Sequence, residues 1–161
     1  MELARELNPN DPGTLFPVAA FWAYFGDRKK SVALAREAAS LSLAPAPYER
    51  AYYAIVFFLA GNFAEAEEAA HQIRDVIAIM TGWRAAGLFH LGRHDEARRE
   101  GRRFLGAIRS RWLGKAEPSD PAIARWFLHL HPIRLRVQWD SLRDGIAGAS
   151  IPIDGIEHER W

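Results

Sequence analysis

Cysteine is absent from the 161 residues, which excludes disulfide staples, thiolate metal sites and a cysteine nucleophile. Lysine is scarce: Lys29, Lys30 and Lys115 stand against eighteen arginines, a bias that with the abundant alanine suggests a GC-rich bacterial genome. Long apolar runs are missing too. The longest, from Ala51 to Ala60, is about half of the roughly 20 residues a bilayer crossing needs, so no spanning helix is expected. Nor does charge of one sign prevail. With 21 basic and 20 acidic residues the formal charge is +1, and no global field points to nucleic acid or to an anionic membrane surface. The start, Met-Glu-Leu-Ala-Arg-Glu-Leu-Asn-Pro, lacks the basic opening and apolar stretch of an export signal, which favours a cytoplasmic chain.

Catalytic signatures are equally wanting. The chain has no Gly-x-Ser-x-Gly elbow, no His-Glu-x-x-His, no Walker loop and no dinucleotide fingerprint, so neither an enzyme nor a cofactor is expected. What the chain does have is 49% apolar residues and 12% aromatics, enough to bury a core within one domain.

Three similar turns recur, at Gly26-Asp27-Arg28, Gly61-Asn62-Phe63-Ala64-Glu65-Ala66 and Gly92-Arg93-His94-Asp95-Glu96-Ala97. Their spacing, 35 and then 31 residues, brackets the 34-residue period of a helix-turn-helix repeat. Each Gly follows an aromatic-rich stretch and precedes an Ala-rich one, as a left-handed residue ending a helix would. Asp27 and Asn62 are expected to cap the helices that follow, and Arg93 cannot. Asp11-Pro12, Ala46-Pro47 and Asp120-Pro121 place proline at helix starts, where its missing N–H costs nothing.

The pattern predicts a short helix over 2–7, then pairs at 14–25 and 28–43, 48–60 and 63–78, 81–91 and 94–112, and 121–130 and 134–147. Thr14 is expected to cap the first of these, so that Pro17 falls in its first turn. First helices carry bulk (Phe16, Trp22, Phe57, Phe58, Trp83) and second helices carry small residues (Ser31, Ala35, Ala38, Ala66, Ala69, Ala70), the alternation that stacking requires.

Gly-Asn-Phe-Ala-Glu-Ala (61–66) and Gly-Arg-His-Asp-Glu-Ala (92–97) resemble the Gly-Asp-Tyr-Asp-Glu-Ala turn of tetratricopeptide repeats, and Leu-Asn-Pro-Asn-Asp-Pro (7–12) is similar to the joint between such repeats. The resemblance implies an all-α, right-handed α-α superhelix. Its parts would be a remnant of a preceding repeat helix (2–11), repeats at 12–45, 46–79 and 80–112, a divergent capping pair over 119–150 and a tail over 151–161. Met1 would then be a cut through a longer protein. Residues 124–134 and 142–152 resemble the end of repeat tails in bacterial class III adenylate or guanylate cyclases and winged-helix regulators.

By the same resemblance, the groove lined by first helices would bind a protein or peptide partner through Phe16, Tyr24, Tyr48, Ile55, Phe58 and Phe89, flanked by Ala20, Ala23, Ala51, Ile79, Gly82 and Ala86. An aromatic groove suits an apolar or amphipathic helix. The alternative is a homodimerisation element of a larger signalling protein, the same rings being covered by a neighbouring repeat or a second subunit.

Other chemistry is weaker. His90 and His94 are four apart, but Gly92 separates them, and His129 and His131 read as a helix terminus, so no metal is expected. A ligand site would need His129, His131 and Arg134 to converge near Trp126. Glu65, Glu67 and Glu68 read as a solvated face, as does the arginine stripe Arg98, Arg99, Arg102, Arg103, Arg109 and Arg111.

Overall fold

The computed structural model describes residues 2–158, so Met1 and the last three residues of the expected tail lie outside the described residues. All regular structure among them is helical: α1 (Glu2–Leu7), α2 (Pro12–Tyr24), α3 (Arg28–Leu41), α4 (Pro47–Leu59), α5 (Phe63–Ile73), α6 (Met80–His90), α7 (His94–Arg109), α8 (Asp120–Leu130) and α9 (Arg136–Gly148). Helices α2 and α3, α4 and α5, and α6 and α7 pack as hairpins. Consecutive hairpins touch through α2 and α3 on α4, and through α4 and α5 on α6.

One backbone device closes all three hairpins. Gly26, Gly61 and Gly92 have φ of 90°, 83° and 75°. The Gly26 N–H donates to the Ala23 carbonyl (3.1 Å) and the Asp27 N–H to that of Trp22 (3.0 Å); the same pair of bonds recurs at Gly61–Asn62 and Gly92–Arg93. Such a left-handed residue satisfies carbonyls that a helix end leaves orphaned, and reverses the chain within three residues. Asp27 then caps α3, its Oδ1 accepting from the Lys30 N–H at 3.0 Å. Asn62 occupies the equivalent place before α5 but makes no side-chain cap bond, contrary to the sequence reading. Before α4, the buried Glu49 carboxylate reaches back to the Ala46 N–H at 2.7 Å.

Helix α2 begins at Pro12, two residues earlier than expected, with Asp11 extended at its N-cap. Thr14 does not cap it; its hydroxyl donates to Asp11 Oδ2 at 2.6 Å, and this bond holds the Asp11 carboxyl below its ordinary range. Pro17 therefore stands in the second turn, where it cannot return an N–H to the Gly13 carbonyl. Helix α5 stops at Ile73 rather than at 78, just ahead of β-branched Val76 and Ile77, and α7 stops at Arg109 rather than at 112.

Packing follows the large-against-small pattern. Phe16, Phe57, Phe58 and Trp83 are buried on first helices, and Ser31, Ala35, Ala38, Ala66, Ala69 and Ala70 on second helices. Helix α8 lies on α7, with Phe127 edge-on to Trp83 (5.9 Å between ring centres) and Phe104 (4.9 Å). Helix α9 does not simply lengthen the stack. It turns back onto α6, also touching α7 and α8.

The hairpin glycines differ in what surrounds them. A Cβ on Gly26 would collide with Leu135, whereas one on Gly92 meets nothing within 4 Å. Gly92→Ala is expected to cost about 1 kcal/mol from its left-handed backbone alone, and Gly26→Ala at least about 2 kcal/mol, measured by urea unfolding.

Candidate functional site

The face expected to be a groove is built from α2, α4 and α6, and the structure places the predicted residues on it unequally. Phe16, Ile55 and Phe58 are buried; Phe16 lies edge-on to Tyr53 (6.3 Å) and Phe58 to Trp83 (5.1 Å). Tyr24 and Phe89 are partly covered, and Tyr48 is half exposed. Ala20, Ala23 and Ala51 are buried, and Gly82 is closed over by Phe127 and Phe104.

The part of this face around Tyr24, Trp83 and Phe89 is covered by the chain's own segment 131–149. Trp83 Nε1 donates to His131 Nε2 at 3.2 Å, and His131 Nδ1 lies 3.0 Å from Tyr24 Oη. An indole N–H can only donate, so Nε2 must be the bare nitrogen, and Nδ1 carries the proton and donates to the phenol. Burial with no anion beside it pushes the His131 pKa down to about 4, and burial likewise raises that of Tyr24. One neutral imidazole thus ties α2 and α6 to the joint before α9.

Further bonds continue the seam. The Arg134 N–H donates to the Tyr24 carbonyl (2.9 Å), and Gln138 Nε2 to that of Leu59 (3.0 Å). His90 Nε2 donates to the Ser141 carbonyl (2.8 Å). The Tyr24 and Leu59 carbonyls end α2 and α4, where helical carbonyls lack partners of their own, whereas that of Ser141 lies within α9. Beyond Ser141 the contact becomes steric: a Cβ on Gly145 would press on Ala86, and one on Gly148 would enter the Phe89 ring. The two glycines let α9 approach α6 closely.

Hairpins two and three are also joined by charge. Arg84, at the centre, donates to Glu67 Oε1 (2.8 Å) and Glu100 Oε2 (2.7 Å). Arg93 reaches Glu67 at 3.2 Å, and Arg74 lies 3.6 Å from Glu100. Glu67 is therefore buried and paired, not on the solvated face expected of it. Its place beside Ala66 and Ala70 on the inward face of α5 was the available signal.

Half of the arginine stripe is paired within the chain: Arg98 with Asp95, Arg103 with Asp75, and Arg109 with Asp120 and Glu117. His129 donates to the Glu157 carbonyl (3.0 Å) and Arg134 lies over the Phe25 ring, so His129, His131 and Arg134 do not converge. Among the described residues no three His, Asp or Glu side chains group as metal ligands would, and no helix is long and apolar enough to cross a membrane. Comparison with family models, curated proteins and solved structures finds no match to the chain.

The His131 lock makes stability pH-dependent. The unfolded imidazole, with an ordinary pKa near 6.5, takes up a proton that the folded one resists until about pH 4, so stability is full above 6.5 and falls as pH drops through that interval. The loss from this group is about 3 kcal/mol between pH 7 and pH 4. In urea unfolding at the two pH values, His131→Gln is expected to be less stable than the parent at pH 7 but to lose about 3 kcal/mol less over the interval.

Proposed function

We propose that the chain is a non-catalytic protein-interaction module of the tetratricopeptide kind, its hairpins winding into a right-handed superhelix whose inner face accepts a helix. The observation that carries this reading is the seating of α9 on α6. A helix preceded by a His-Pro-Ile turn and presenting glycine at 145 and 148 packs against the first helix α6, and its entry segment bonds to the ends of α2 and α4. The face thus has a resident helical ligand, and a partner with a similar small-residue face would compete with it. Tyr24, Phe58 and Phe89 are the rings such a partner would meet in place of α9, while Phe16 and Ile55 support the face from below. We place this module in the bacterial cytoplasm, as a regulatory element rather than an enzyme.

A labelled peptide spanning residues 131–151 tests the reading by fluorescence anisotropy. In the parent protein the tethered segment acts at an effective concentration on the order of millimolar, so the peptide should be excluded. Gly148→Leu, which cannot seat α9 closely, should bind it at least tenfold more tightly than the parent. A Gly148→Leu protein that keeps its helical circular dichroism and still takes no peptide would refute a helix-accepting face.

A further inference from the structure

We propose that the cleft between the α5–α6 joint and α8 is a binding site for a small amphipathic carboxylate with an aromatic or branched apolar body. The cleft lies away from the α9 seam. It encloses about 510 Å³, within the range of small-molecule sites, and its walls are Ile77 and Ile79 of the joint, Ile108 of α7, Trp112 just beyond α7 and Trp126 of α8.

Three features select the ligand. First, the two indoles stand edge to face, with ring centres 6.1 Å apart and planes at 82°, and both are only partly buried. Trp83 and Trp139, by contrast, are covered completely by the core. Half-covered indoles beside an isoleucine wall offer a flat apolar body both a ring face and a branched surface. Second, neither indole N–H donates to a protein acceptor among the described residues, and the Trp112 nitrogen packs against Gly114, which lines the same cleft. Third, Arg111 borders the same cleft, and among the described residues no carboxylate lies within ion-pair distance of it. Its only hydrogen bond there is to the Ala107 carbonyl at 3.1 Å. Arg109, two residues earlier, has both Glu117 and Asp120. A carboxylate on the ligand would give Arg111 the charge-assisted, planar pairing that its neighbour obtains from the chain.

The competing chemistry is a cation held over the indole faces. Binding of three probes with one ring system separates the two: 1-naphthylacetate, its neutral amide and 1-naphthylmethylamine, titrated into the full chain by calorimetry at low salt. The carboxylate should bind about five- to tenfold more tightly than the amide, with the amine weakest. Arg111→Gln, at an exposed position, should bring the carboxylate down to the level of the amide, and Trp126→Leu should weaken both. Raising the salt concentration should erode only the preference for the carboxylate. Equal affinity for carboxylate and amide, tighter binding of the amine, unchanged binding in Arg111→Gln, or no binding of any probe would each overturn the assignment.

Discussion

A single uncharged imidazole decides how the far end of this chain meets its beginning. His131 sits between a donor that cannot accept, the Trp83 indole, and a phenol, Tyr24, drawn from helices nearly sixty residues apart. The geometry works in one tautomer only, and a second proton on the ring would set two N–H groups against each other. Burial enforces the neutral form, because the pocket offers aromatic rings and no carboxylate to stabilise a charge. From that point the path of the segment leading to α9 is set: Pro132 follows, Ile133 is buried, Arg134 and Gln138 reach backbone carbonyls, and the glycines of α9 settle on α6.

Two kinds of force divide the structure. Within hairpins, packing of rings against alanine dominates, with left-handed glycines providing the reversals. Between hairpins two and three, a buried Glu67–Arg84–Glu100 chain adds directional bonds to that packing. Such a network gives little net stability once desolvation is counted, but removing one member would leave an uncompensated buried charge. It therefore fixes the register of α5, α6 and α7 more than it strengthens them.

The sequence made the hairpins readable because their signals are local. A glycine after an aromatic run, Asp27 after the first such glycine and proline at the long joints each act within a few residues, and most helix ends fell close to where these signals put them. The departures were local too. Thr14 was outcompeted by Asp11, which has the extended backbone a cap needs, and Asn62 holds the cap position without using its side chain. The candidate site was much less legible. Phe16, Ile55 and Phe58 are buried, and nothing in a repeat pattern says that the chain will fold its own C-terminal helix against α6. The tie between His131 and residues 24 and 83 spans 107 and 48 positions, and local spacing carries no trace of it. Gly145 and Gly148, breaks in an otherwise amphipathic helix, were the one available hint of close helix–helix approach.

On the proposed reading a partner helix would have to displace α9 rather than enter an empty groove. The energetic question is how firmly α9 is held. Native-state hydrogen exchange of the unmodified protein at pH 7 answers it most directly. The account predicts that amides of 138–148 are well protected yet open in a step of their own, exchanging faster than those in the middle of α6 and far more slowly than unstructured amides. Fast exchange across α9 while α2 to α7 remain protected would contradict it, because the helix would then be a loosely held appendage and not part of the structure's closure.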